Sequence, residues 1–328
     1  MSNLNTTYLG LKLKNPIIVS SSGLTKGIDQ IEKVVNAGAG AVVLKSLFEE
    51  QINHDINKQI SNSGDVDYPE AHDLIAGYTK ENSVGDYLKL ISDAKAKFDI
   101  PIIASINCFS SDEWIDFAKK VETAGADAIE LNVHVVNTDK NVEASIIEGL
   151  YYTIAENIRK AVSIPIVFKL GDNFINLVSV INKLSIIGID GVVLFNRFYQ
   201  PDIDINKLSI TSASVFSSPA DIRKSLRWVA IVSDKVDQID ISASTGNHNG
   251  ESVIKQILAG AQTVQVCSAI YNNGAKVISE MLNELSFWMD EKGYKTVDEF
   301  KGLLSYKNIP NPAVYERAQF MKYFSSME

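Results

Sequence analysis

Cysteine is scarce in this chain: Cys108 and Cys267 are its only two thiols in 328 residues. That is too few for a disulfide framework, and an iron–sulfur cluster needs more, closer together. Reduced thiols in the cytoplasm are the simplest expectation. Four histidines, His54, His72, His134 and His248, are scattered without zinc or iron spacing, so no metal is expected. Basic charge is short as well. The formal net charge is -9 and no Lys/Arg block occurs, which argues against nucleic acid or an anionic membrane as partner. No apolar run approaches the roughly 18 residues of a membrane span. Residues Met1 to Thr6 lack the basic start and apolar stretch of an export signal. A nucleophile elbow, a Walker loop and a dinucleotide glycine fingerprint are all absent. With 45% hydrophobic and 22% charged residues, what remains is a soluble globular composition.

What is present is a phrase that occurs four times: a Gly that closes a helix, a short polar step, then an apolar run ending on a polar residue. The copies are Ala37–Lys45, Ala124–Asn132, Ile187–Asn196 and Ala259–Ser268. Between them lie further buried-strand runs, Pro16–Ser20, Pro101–Ser105, Pro165–Lys169 and Asp237–Ser242. In order these give about eight strands, each followed by a helical stretch. That alternation predicts an α/β fold, a (β/α)8 TIM barrel in which chemistry gathers at the C-terminal ends of the strands.

Around this core, residues 5 to 14 predict an N-terminal β-hairpin turning at Gly10, placed to plug the bottom of the barrel. Ile28, Ile31, Val34 and Val35 predict the first helix. Phe48 to Gly85 reads as a long, polar loop insertion after strand two, a substrate cover rising from the catalytic face. Helices are expected over Ala144–Val162, Phe174–Ile187, Ser252–Leu258 and Gly274–Met289, with another beginning at Pro219. Residues 1–328 form one expected barrel domain, of which 305–328 are a C-terminal tail with a helical pattern at Val314–Phe324.

The strand ends carry Lys45 and Lys169, with Asn107, Asn132 and Asn196 at three others. One strand-end Lys or Asn is as often a loop cap as a ligand. Five converging on one mouth suit a planar, polar, anionic ligand, because Lys brings charge and Asn brings both donor and acceptor. Strands seven and eight run into Ser242–Asn247 and Cys267–Ile270, small-residue turns where a barrel often holds a phosphate.

In order, these residues resemble the dihydroorotate dehydrogenase family of FMN barrels, over roughly the whole chain to Tyr306. Asn15-Pro16 followed by Ser21-Ser22-Gly23 is similar to the family's opening against the flavin. Lys45-Ser46 resembles its lysine–serine pair at flavin and substrate. Asn107, Asn132, Lys169 and Asn196 stand where the family has flavin- and substrate-facing residues. Thr245-Gly246 and Cys267-Ser268 stand where it holds the phosphate. The resemblance implies FMN as cofactor, a small-molecule substrate near Lys45, Asn132, Asn137, Asn196 and Arg197, and a homodimer. It implies hydride transfer between a dihydropyrimidine-like ring and flavin N5, in the setting of pyrimidine biosynthesis.

Three departures stand out. The family's catalytic Cys or Ser, three residues after the strand-four asparagine, is replaced by Val135, which cannot move a proton. His134 beside it becomes the candidate general base, with His72 as a second; an ordinary strand-end histidine is the competing explanation. The substrate-loop pattern is missing from Tyr68–Ile75, and Ser212–Phe216 replaces a Gly-rich stretch. An orthodox dihydroorotate dehydrogenase, a non-catalytic flavin- or phosphate-binding barrel, and an aldolase or synthase using Lys169 as a Schiff-base amine remain alternatives.

Overall fold

The computed structural model describes residues 2–48, 69–107 and 111–317. The chain opens with an antiparallel hairpin, β1 (Thr6–Tyr8) and β2 (Leu11–Leu13), paired Tyr8 to Leu11. Leu9 and Gly10 take φ of 55° and 73° at its two-residue turn, the left-handed pair such a turn needs.

The barrel strands follow: β3 (Ile17–Val19), β4 (Ala41–Val43), a short β5 (Leu47–Phe48), β6 (Ile102–Asn107), β7 (Ala128–Asn132), β8 (Ile166–Leu170) and β9 (Gly191–Leu194). An exposed hairpin, β10 (Pro201–Asp204) and β11 (Ser209–Ser212), intervenes before β12 (Asp240–Ala243) and β13 (Thr263–Val266). All barrel pairings are parallel. β13 pairs with β3, and β4 pairs with β6, so eight strands close on themselves as the sequence predicts.

Helices cover the outside: α1 (Ile28–Asn36), α2 (Pro69–Lys97), α3 (Ser111–Thr123), α4 (Ala144–Ala161), α5 (Leu177–Ile187), α6 (Ile222–Lys235), α7 (Gly250–Ala259), α8 (Ser268–Asn273), α9 (Lys276–Lys292) and α10 (Ala313–Glu316). None is long and apolar enough to cross a membrane, among the described residues.

The polar step of the repeated phrase has a structural job. Asp127 Oδ2 accepts the N–H of Ile102 at 2.7 Å, Asp190 Oδ2 that of Ile166 at 2.8 Å, and Gln262 Oε1 that of Ile241 at 2.8 Å. Each side chain thus anchors the start of the preceding strand, where a barrel's bottom would otherwise leave an N–H unpaired.

The interior is divided along its axis. Ile18, Ala41, Val43, Ile103, Ala128, Val167 and Val193 form an apolar lower layer with Tyr8, Leu9 and Leu13 of the hairpin. The hairpin is therefore the bottom plug. A Cβ on Gly191 would fall 2.7 Å from Leu9 Cδ2, so that glycine makes room for the plug, and Leu9 N donates to Asp240 Oδ2 at 2.6 Å.

Several sequence expectations need adjustment. Residues 49–68 of the long insertion lie outside the described residues, but from Pro69 onward the chain is helix α2 rather than loop. Tyr87, Ile91, Ala94 and Phe98, spaced by four, three and four, are buried and anchor that helix on the barrel; the polar first half extends it. The seventh strand begins at Asp240, not Asp237, because Gln238 takes φ 58°. The helical tail is described only over Ala313–Glu316, and the remainder from 318 lies outside the described residues, as does Cys108.

Candidate active site at the strand ends

Successive residues of a strand alternate between barrel interior and helix-facing side. Counting by twos from the apolar layer leads to polar residues on the inner face: Val43 to Lys45, Ile103 to Ser105 and Asn107, Ala128 to Glu130 and Asn132, Val167 to Lys169, and Ile18 to Ser20. The barrel floor is apolar and its mouth is polar.

Three of these side chains, Ser20, Glu130 and Lys169, form a closed network on the axis with Gln265 of β13. Lys169 Nζ lies 3.4 Å from Glu130 Oε1 and 3.3 Å from Gln265 Oε1. Gln265 Nε2 donates to Glu130 Oε2 at 2.6 Å, and Ser20 Oγ donates to Gln265 Oε1 at 3.1 Å. The side chain of Lys169 is 9% exposed and that of Glu130 1%. Beside it, the Ser46 hydroxyl lies 3.0 Å from that of Ser21 and 2.6 Å from that of Ser105. The Tyr87 hydroxyl braces β6 from outside, accepting the N–H of Ser105 at 2.8 Å.

Two adjoining hollows open above the network, of about 620 and 510 Å³, in the size range of small-molecule sites. Both are lined by Ser21, Ser22, Lys169, Asn196, Arg197 and Phe198. The smaller adds Lys45, Ser46, Asn107, Glu130, Asn132 and His134. The larger runs to Thr245, Gly246, Cys267 and Ser268 at the loops after β12 and β13. At that end Thr245 and Gly246 have φ of 72° and 86°. A Cβ on Gly246 would sit 2.1 Å from Ile222 N, so only glycine lets this turn lie against the start of α6.

Asn196 Nδ2 donates to Asn132 Oδ1 at 2.7 Å across the end of β8. Arg197 is tied to the loop after β11 through Ser214 O at 2.8 Å and Val215 O at 3.1 Å, and lies 3.4 Å from Asp221. His134 stacks on Phe198, with ring centroids 3.4 Å apart and planes 18° from parallel. Its Nδ1 is buried without a partner. Burial pushes the imidazole below the usual histidine range, against a smaller opposing pull from Asp172. Val135, next along, packs on the outer core rather than lining either hollow. Burial raises the Cys267 thiol, outweighing Ser22 and Lys169, so it rests as a neutral thiol.

Two sequence candidates are not brought to the hollows, and a third lies outside the described residues. Asn137 is exposed and accepts the N–H of Asp139 at 2.7 Å in a local turn, because the chain leaves the barrel after His134. Gly23 lines neither hollow; it sits under Tyr271, whose hydroxyl would be 2.7 Å from a Cβ there. His72 lies on α2 and its imidazole, like that of His54, is outside the described residues. Sequence reading missed Glu130 and Gln265. Their signal was a charged and an amide residue inside otherwise apolar strand runs. Among the described residues no group of three His, Cys, Asp or Glu converges to hold a metal.

The family model for dihydroorotate dehydrogenase matches residues 3–289. The chain belongs to the dihydroorotate dehydrogenase family. It is 28% identical to the catalytic subunit of dihydroorotate dehydrogenase B (NAD(+)) of Thermoplasma volcanium, over 92% of this chain and 99% of that protein. The corresponding subunit of Pyrococcus abyssi is 29% identical, over 92% and 98%. The NAD-dependent dihydropyrimidine dehydrogenase subunit PreA of Escherichia coli K12 is 24% identical, over 94% of this chain and 78% of that protein.

Proposed function

We propose that this chain is an FMN-dependent oxidoreductase that moves a hydride between a small dihydropyrimidine-like ring and the flavin. One observation carries the reading. A buried lysine on the barrel axis and a hydrogen-bonded pair of asparagines face the same mouth, and that mouth continues into small-residue turns after β12 and β13.

The donor set fits the cofactor. Asn247 Oδ1, a buried acceptor without a partner on a residue lining the larger hollow, suits a hydroxyl of the cofactor rather than its phosphate, and the Gly246 turn admits no side chain. The backbones of Thr245-Gly246 and Cys267-Ser268 would hold the phosphate, and Lys169, Ser21, Ser22 and Asn107 the ring. When bound, FMN supplies the hydride acceptor chemistry.

The substrate side is built from this chain's own groups. Asn196 spends one N–H on Asn132 Oδ1, which leaves Asn132 Nδ2 as a donor and Asn196 Oδ1 as an acceptor. That pair matches the adjacent C=O and N–H of a pyrimidine ring. His134, held neutral by burial, accepts the proton lost from the ring carbon in the oxidative direction and returns it in the other. Lys45 at the rim of the smaller hollow offsets negative charge on bound substrate. A second reading, dihydroorotate itself as substrate, is favoured by Lys45 lining the smaller hollow, where a carboxylate would find a cation; Arg197 of that hollow is already paired with Asp221.

The test is fluorescence titration of the flavin-free protein with FMN and with riboflavin. FMN is expected to bind at least roughly tenfold tighter, since its phosphate adds charge-assisted hydrogen bonds worth about 1.5–3 kcal/mol each. No quenching by FMN would end the proposal.

A further inference from the structure

The buried carboxylate of Glu130 has no part in the chemistry above, yet it is the most enclosed charged group at the mouth. It stands on the inner face of β7, two residues before Asn132. One carboxylate oxygen faces Lys169 Nζ at 3.4 Å and the other accepts from Gln265 Nε2 at 2.6 Å. Gln265 turns its amide oxygen to both Lys169 Nζ, at 3.3 Å, and Ser20 Oγ, at 3.1 Å. With the amide in that orientation every contact pairs a donor with an acceptor, so the network fixes the lysine from two sides. An isolated charge so buried would be strongly disfavoured; a hydrogen-bonded pair is the form in which it persists.

We propose that Glu130, with Gln265, is a positioning residue for Lys169: it holds the ammonium on the barrel axis at the floor of the hollows that would take the flavin, and cancels its charge there. The inference rests on the flavin reading and adds to it an assignment for two residues. Electron uptake puts negative charge on the ring. A bare ammonium near it favours the reduced form, and a neutralised one favours it less. Glu130 therefore sets how readily the cofactor accepts electrons while touching neither substrate nor the reacting atoms.

Two measurements test it. In the flavin-loaded protein, Glu130→Gln keeps the shape and removes the charge, so the midpoint potential of the bound flavin shifts upward; Lys169→Met shifts it downward. An unchanged or lowered potential in Glu130→Gln overturns the proposal. In the flavin-free protein, Glu130→Gln and Lys169→Met each lower the unfolding midpoint, and the double variant loses less than the sum of the two. Strictly additive losses overturn the pairing whether or not flavin binds. If the wild-type protein takes up no FMN yet the cycle is non-additive, the cofactor reading has failed and the pairing has not.

Discussion

Asn196, two residues past β9, and Asn132, the last residue of β7, stand on either side of β8 and are joined by one 2.7 Å hydrogen bond from Nδ2 to Oδ1. That bond orients both amides and leaves one donor and one acceptor facing the hollow. Asn196→Asp removes the shared donor and sets a carboxylate against Asn132 Oδ1. With about 1–3 kcal/mol lost for each polar group left unpaired, kcat/KM for a dihydropyrimidine should fall roughly 10- to 100-fold. Steady-state kinetics of flavin reduction check this, with FMN content measured to show that the cofactor is retained.

His134 should impose a pH limb below the ordinary histidine range. Burial depresses its pKa, so it is neutral at pH 7 and able to accept a proton. Substrate oxidation should rise with pH through that depressed pKa and level off above it. His134→Gln should remove the limb and lower the plateau by about 10²–10⁴-fold, the usual worth of a general base. The same shift predicts that stability falls as pH drops below about 6.5, the unfolded value, and that the loss stops growing below the folded pKa. NMR titration of the imidazole and rate–pH profiles read the two effects separately.

Gly246→Ala should weaken FMN binding and destabilise the protein together. The residue has φ 86°, and its Cβ would meet Ile222 N at 2.1 Å, a backbone atom that cannot swing aside. The left-handed strain alone costs about 1–2 kcal/mol, and the clash adds to it. Urea denaturation and FMN titration of the variant check both consequences.

Asp127→Ala should cost about 1–2 kcal/mol of stability, since it strips the Ile102 N–H of its acceptor and releases Lys95, which contacts both carboxylate oxygens at 2.8 Å. Activity should be unaffected, because the residue lies at the opposite end of the barrel from the mouth. A urea midpoint and a kcat/KM value for the variant suffice.

Much of this molecule was readable in its sequence, for reasons that differ by residue. The repeat of Gly, polar step and apolar run marked the strands, because only glycine caps each helix with positive φ, as at Gly38, Gly125, Gly188 and Gly260. Lys45, Lys169, Asn132 and Asn196 were visible because a polar residue ending an apolar strand has few places to point. Glu130 and Gln265 were hidden because they sit inside those apolar runs, and their partners come from strands far apart in the chain. Phe198 was hidden too: its place over His134 depends on Gly171, where a Cβ would meet its ring at 2.7 Å. The start of α2 reads as loop because the burial that stabilises the helix, Tyr87, Ile91 and Ala94, lies in its second half. Asn137 looked like part of the site by motif, yet its own turn takes up its side chain.

Anaerobic titration of the FMN-loaded protein with dihydropyrimidines and with dihydroorotate, followed by visible absorbance, reaches the central claim most directly. Stoichiometric loss of the flavin bands with at least one of these compounds, abolished or strongly slowed in His134→Gln, is the expected result. A spectrum that none of these compounds changes, in protein carrying a full complement of FMN, would contradict it.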